Sequence, residues 1–218
     1  MTTEERITKA LQAEGILSPN VLAYALATIK HETAGTMEPI REYGGPQQAV
    51  KLGYRGGKNY YGRGYIQLTH DYNYRTIGQR IGMGDELVKN PDLALDPDIA
   101  AKILAAFFKD RGVAAAAEKG DFYGARRGVN GTDKADKIAQ LAKQYLPQAT
   151  ELSKNISKEP ILAVTPTPQN KNMFQEMRDR FQNIFVPQPV KAVEATPVRK
   201  KKKELPYSQK GWEQSQNK

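Results

Sequence analysis

Three glutamates, Glu32, Glu38 and Glu42, stand close together near the start of this chain and are its best candidates for proton transfer. Glu32 follows the apolar run Val21, Leu22, Ala25, Leu26 and Ile29. A helix over that run ends near His31-Glu32, where the last carbonyls turn their partial negative charge on the side chain. That field and partial burial favour the neutral acid, the form a glycosidic oxygen needs from a proton donor. Hydrolysis of such a bond with inversion also requires a second carboxyl group roughly 6.5–9.5 Å away, leaving room for a water. Glu38 and Glu42 follow in a loop with Gly35 and Pro39, and either can curl back toward Glu32. On position alone, a solvated glutamate that happens to end a helix is the plainer reading of Glu32.

The stretch Tyr60-Tyr61-Gly62-Arg63-Gly64-Tyr65-Ile66-Gln67-Leu68-Thr69 is the most unusual in composition. Aromatic faces stack on sugar rings, and glycines let a ligand approach the backbone. Gln67 and Thr69 alternate and are placed to hydrogen-bond a water or an acetamido group. Tyr/Gly alternation equally marks tight turns or nucleic-acid stacking. A zinc site built on His31, Glu32 and His70 is disfavoured, because no His-Glu-x-x-His pair shares a helix face. His70 is better read as capping or packing beside its helix. With no cysteine, disulfides and thiolate chemistry are excluded.

The elements that must position these residues are mostly helical. Thr2 or Thr3 can cap a helix carrying Ile7, Ala10 and Leu11. Ser18-Pro19 is a helix start, with Ser as N-cap and Pro in the first turn. Residues 43–66, rich in Gly and Tyr, read as an irregular lobe with at most a hairpin. Thr69 is the expected cap of a helix through Tyr72, Ile77 and Ile81. Asp96-Pro97 starts another through Ile99, Ile103, Leu104, Phe107 and Phe108. Asp121 caps a short helix up to Arg127. Asn130-Gly131 turns, through Thr132 or Asp133, into a last helix with Ile138, Leu141 and Tyr145. Five or six helices around one irregular lobe make an α+β domain of mainly helical character over residues 1–150.

Beyond Pro147 order is expected to fade. Residues 151–171 read as a Pro-rich linker and 172–186 as a short helix with an apolar stripe of Met173, Phe174, Met177, Phe181, Ile184 and Phe185. Residues 187–218 read as a basic disordered tail. From 151 onward there are 13 Lys and Arg against 7 Asp and Glu, so +6 of the formal +9 lies there. That charge suits an anionic membrane or wall surface. A nucleic-acid role for the run Arg199 to Lys203 has no other support in the chain. The polar N-terminus lacks a signal-peptide pattern, and no apolar run is long enough for a membrane helix. The expectation is a protein made in the cytoplasm.

Several of these segments together resemble glycoside hydrolase family 19, the chitinases and chitinase-like phage endolysins. The likeness runs from about Pro19 to Tyr145. It comprises His31-Glu32-Thr33, the stretch from Tyr60 to Thr69, Tyr72-Asn73-Tyr74, Asn90-Pro91-Asp92-Leu93 and Val129-Asn130-Gly131, in the family's order. The resemblance implies a lysozyme-like, two-lobed fold with a central cleft and no metal or cofactor. It makes Glu32 the general acid and, from the ten-residue spacing of compact endolysin-like members, favours Glu42 over Glu38 as the base. It assigns the attacking water to Gln67 and Thr69, and sugar contacts to His31, Tyr61, Tyr72, Asn73 and Asn130. Lys137, in Asp136-Lys137-Ile138, stands where the family usually has arginine, and a lysine lacks the planar fork.

The resemblance therefore implies an inverting, cell-wall lytic glycosidase acting on peptidoglycan, at the wall or carried in a phage particle. Compactness and the lack of cysteines favour this over a chitinase. A chitinase, or a non-catalytic phage structural or sugar-binding protein on the same fold, are the alternatives.

Overall fold

The computed structural model describes residues 1–156, and the α+β, mainly helical architecture expected from the sequence is what it shows. The expected amphipathic helix at 172–186, the basic tail at 187–218 and most of the linker lie outside the described residues.

Local capping chemistry sets the start of the long helices. Helix α1 (Thr3–Ala13) begins at Thr2, whose hydroxyl accepts from the Glu5 N–H while the Glu5 carboxylate accepts from the Thr2 N–H. Helix α2 (Pro19–Glu32) is capped by Ser18, whose hydroxyl accepts from the Val21 N–H. Every residue of α2 from Val21 to Ile29 is buried. A helix buried all round is a central one, and α9 (Ala135–Ile156), α7 (Val113–Glu118) and α1 pack around it. Helix α6 (Pro97–Asp110) starts at Asp96, whose carboxylate accepts from the Asp98 and Ile99 N–H groups, and it packs on α1.

The small lobe is less regular. Strand β1 (Ile40–Arg41) pairs antiparallel with β2 (Arg63–Gly64), with Ile40 opposite Gly64 and Arg41 opposite Arg63. Between them lie α3 (Gly45–Leu52) and a 3-10 turn at Gly57–Asn59. Helices α4 (Asp71–Arg80) and α5 (Glu86–Lys89) and a second 3-10 turn (Pro91–Leu95) follow. Gly64 has φ +81°, and a Cβ there would sit 2.7 Å from the Ala94 carbonyl oxygen. Only glycine lets β2 come this close to the 91–95 turn.

Four expectations are corrected. Residues 43–66 contain a helix and no hairpin of their own, since the strand partner of β2 lies before that segment. The residue before α4 is His70 rather than Thr69, and its side chain makes no capping bond. Helix α8 (Phe122–Asn130), capped by Asp121 as expected, runs three residues past Arg127. Order does not fade at Pro147: α9 continues to Ile156, past residue 150. Pro147 faces solvent, while Ala142, Ala149 and Ser153 are buried. Packing of that face against α1 and α2 outweighs the one lost backbone bond.

Candidate active site

Glu32 lies in the last turn of α2 with its side chain 15% exposed, and its Oε1 accepts from Arg126 Nη1 at 2.6 Å. Tyr24, Thr28 and Glu32 are four apart, on one face of α2. Burial pushes the Tyr24 phenol up to about 12; the nearby Glu32 adds to this, while Thr28 and Arg126 oppose it. Tyr24 therefore stays neutral around physiological pH. Arg126 is fully buried, and its Nε donates to the Asp133 carbonyl at 2.9 Å. One guanidinium thus ties the end of α2 to α8 and to the loop that enters α9. The apolar setting expected for Glu32 is in fact an ion pair, and a close charge-assisted one.

Glu42 immediately follows β1 and is half-buried. Its Oε1 accepts from the Tyr54 hydroxyl at 2.9 Å and its Oε2 from the Gly62 N–H at 2.9 Å. The Glu42 N–H donates in turn to the Gly62 carbonyl at 2.8 Å, so the residue is pinned by backbone as well as side chain. Burial first, then the hydrogen bond and charge of Glu42, push the Tyr54 phenol well above its ordinary range. Glu38 is exposed. Of the two candidates for a second carboxyl group, Glu42 is the one built into the lobe.

The Tyr60–Thr69 stretch divides by burial. Tyr61 is 7% exposed, and the Arg63 guanidinium lies 3.7 Å over its ring. Arg63 donates from Nε to Asp92 at 2.7 Å and from Nη1 to the Asn59 and Tyr61 carbonyls and the Tyr74 hydroxyl. Arg41 reaches the other Asp92 oxygen at 2.9 Å. Burial raises the Asp92 carboxyl, but the two arginines outweigh it and hold the group below its ordinary range. This network joins both strands to the 91–95 turn. Beside it lies a depression of about 350 Å³ lined by Lys58, Tyr61, Arg63, Lys89, Asn90 and Asp92 among others, and neither Glu32 nor Glu42 lines it.

Gln67 takes a left-handed backbone, φ +52°, and its amide nitrogen donates to the Ile40 and Gly64 carbonyls, both at 3.1 Å. Its oxygen faces Gly62: a Cβ on that glycine would lie 2.8 Å from Gln67 Oε1 and 3.2 Å from the Glu42 Cβ. Gln67, Gly62 and Glu42 therefore come together. Thr69 is half-buried, and its carbonyl accepts from the Asn73 amide at 2.9 Å. The Asn73 oxygen accepts from Arg111 at 3.1 Å, so both ends of that amide serve the fold. Tyr72 is 41% exposed; its ring stacks on His70 with centroids 5.4 Å apart, and the Arg55 guanidinium lies 5.6 Å from its centroid. His31 is half-buried beside Glu32, and Asn130 and Lys137 are both exposed. Among the described residues no cluster of three or more His, Cys, Asp or Glu is arranged to hold a metal.

Reading the sequence missed Arg126 and Tyr54. Arg126 stands four residues after the buried Phe122 and one after the buried Ala125, so the periodicity of α8 already puts it on the inner face. Tyr54 carries no local signal, because its partner Glu42 is brought to it by the fold of α3.

A mainly helical α+β domain with two anchored glutamates, one on a central helix and one on a small irregular lobe, is the class this architecture defines. Residues 22–120 match the family model described as chitinase class I, of glycoside hydrolase family 19. An acidic 26 kDa endochitinase of Solanum lycopersicum is 66% identical over 44 residues, 20% of this chain and 17% of that protein. An acidic endochitinase of Petunia hybrida is 39% identical over 83 residues, 38% of this chain and 32% of that protein. The aligned segments thus span well under half of these relatives. Among solved structures, chitinase C from Streptomyces griseus HUT6037 superposes with a TM-score of 0.51 at 24% identity, over 68% of each chain. A bacterial family 19 chitinase superposes with a TM-score of 0.50 at 25% identity, over 68% of this chain and 84% of that one. Residues 22–120 are therefore similar in sequence to glycoside hydrolase family 19, and the chain shares its fold with the family 19 chitinases named above.

Proposed function

We propose that this domain hydrolyses β-1,4 glycosidic bonds of an N-acetylglucosamine-containing polymer with inversion, and that the polymer is peptidoglycan. The observation that carries the reading is the contrast between the two glutamates: Glu32 is paired with a buried cation, and Glu42 is pinned through both oxygens by neutral donors. In the reaction Glu32 gives its proton to the bridging oxygen as the bond to the anomeric carbon breaks. Glu42 takes a proton from a water, whose oxygen attacks that carbon from the opposite face. Gln67 Oε1, next to Gly62 and Glu42, contributes an acceptor for that water. Arg126 serves after the transfer, when Glu32 is left as a carboxylate and the guanidinium stabilises the new charge.

The ten-residue spacing of the two glutamates, and a basic chain suited to an anionic wall, favour peptidoglycan. On this reading the protein acts at the cell wall, and the basic residues beyond 186 add attraction to an anionic surface. The endochitinase names of its relatives favour chitin as the second reading. Turbidity of purified peptidoglycan and release of sugars from chitin oligomers, followed in parallel for wild type and Glu32→Gln, separate the two. The expected result is clearing of peptidoglycan that drops by about 10³-fold in Glu32→Gln. Cleavage of chitin alone would make the enzyme a chitinase, and cleavage of neither would sink the catalytic reading.

A further inference from the structure

The Tyr54 hydroxyl that holds Glu42 belongs to a continuous aromatic row. Tyr54 meets His70 edge-on, with ring centroids 5.2 Å apart and planes at 69°. His70 stacks on Tyr72 at 5.4 Å with planes at 8°. The row therefore runs from an exposed aromatic face, through an imidazole, to the phenol bonded to Glu42 Oε1.

His70 is held in place from several sides. Its Nδ1 accepts from the Arg55 N–H at 3.1 Å. Its own N–H donates to the Tyr60 carbonyl at 3.0 Å, and its carbonyl accepts from the Asn73 and Tyr74 N–H groups. Its φ is +67°, which a non-glycine residue adopts at a cost in free energy. Such a conformation persists where surrounding contacts over-determine it, and here it places the ring between the two tyrosines. Helix capping does not explain it, since the side chain makes no capping bond.

We infer that Tyr54 and His70 are positioning residues, which hold the Glu42 carboxylate and tie its placement to the exposed Tyr72 ring. Tyr54 supplies the only side-chain donor to Glu42 among the described residues. His70 fixes the tilt of the Tyr54 ring and carries a shift of Tyr72, on stacking with a sugar, toward that phenol. The inference rests on the glycosidase reading for its kinetic consequences and on geometry alone for the hold on Glu42.

Tyr54→Phe keeps the ring and removes only the donor. Its expected effect is a fall of about tenfold in kcat with KM within twofold, the signature of a bond that matters to the reaction more than to binding. The acid-side limb of its pH–rate profile should move to higher pH, because the carboxylate has lost a donor. His70→Leu removes the imidazole and should lower kcat less. Combined with Tyr54→Phe it should add little further, since both act through one bond. Tyr54→Phe with wild-type kcat and an unmoved profile would overturn the inference, as would fully additive losses in the double variant. If the wild type cuts no polymer, the glycosidase reading fails and the relay is decided by carbon NMR of the Glu42 carboxyl. Titration at higher pH in Tyr54→Phe than in wild type supports the hold, and an unchanged titration rejects it.

Discussion

From Pro19 up to Glu32 the chain is one regular, buried helix. Glu32 stands at the end of a helix buried over nine consecutive residues, and its partner Arg126 projects from a second helix. Around Glu42 there are two strands of two residues each, a short helix, a 3-10 turn, and residues in left-handed conformations. Both carboxyl groups are nonetheless anchored, Glu32 through one oxygen and Glu42 through both. On the helical side a charge is matched by a charge across long-range packing. On the irregular side neutral donors, one phenol and one backbone N–H, do the anchoring. On the proposed mechanism the difference follows from chemistry: a group that gives up a proton and becomes charged gains from a fixed cation. One that must accept a proton from water is better served by donors that leave its charge in place.

The largest expected effect that tests this contrast is on the helical side. Arg126→Met removes the guanidinium and leaves Glu32 partly buried without its cation, and also leaves the Asp133 carbonyl without its donor. Loss of one partner of such a pair should cost roughly 3 kcal/mol of stability. The check is the midpoint of urea unfolding at constant m-value. A midpoint within error of the wild type would mean that the ion pair adds nothing to folding. In that case the helical side would depend on apolar packing alone.

On the irregular side the counterpart is Gly62→Ala. The new methyl group would lie 2.8 Å from Gln67 Oε1 and 3.2 Å from the Glu42 Cβ. At those separations Gln67 or Glu42 must move, at a cost of about 1–3 kcal/mol for overpacking. The expected outcome is a larger fractional loss of activity than of stability, because the displaced groups are the candidate base and its neighbour. Equal activity in Gly62→Ala and wild type would show that the lobe adjusts freely and that the Glu42 geometry is not tightly set.

The same contrast explains what could be read from the sequence. Helix starts were legible because their causes are local: Thr2 with Glu5, Ser18 before Pro19, and Asp96 before Pro97 each satisfy donors within a few residues. Glu32, Glu42 and Gln67 were legible as motif residues, although their partners were not. Arg126 reaches Glu32 across 94 positions, a contact that only the packing of α2 and α8 creates. The helix at 45–52 was hidden because Gly44 and Gly45-Pro46 look like a loop. In the fold, Gly44 and Gly53 adopt left-handed conformations that bracket the helix. Pro147 misled for the opposite reason, since a local breaker is overridden by burial of the face beside it.

A smaller effect separates the ends of α2. Ser18→Ala removes the cap at the end far from Glu32 and should cost about 1 kcal/mol of stability. With kcat unchanged, the helix would be acting as a rigid arm whose far end tolerates fraying. A proportional loss of kcat would show instead that the cap and the acid are coupled along the helix.

The smallest expected effect is a pH dependence on the irregular side. Asp92 holds its proton less tightly in the folded chain than the ordinary aspartate value of 3.8, because Arg41 and Arg63 outweigh the effect of burial. Folding is therefore favoured by this group above that value, and the contribution is lost as pH falls below about 4 toward the lower folded value. At neutral pH, Asp92→Asn should cost under about 1 kcal/mol, since the carboxylate is 35% exposed and solvent screens it. In urea titrations between about pH 4 and 2, the wild type should lose stability more steeply than the variant, so the two curves converge. Parallel curves would mean that the arginines hold the turn through geometry rather than charge. The strand pair and the 91–95 turn would then depend on the Gly64 contact and the stacking of Arg63 on Tyr61, with Asp92 as a spectator.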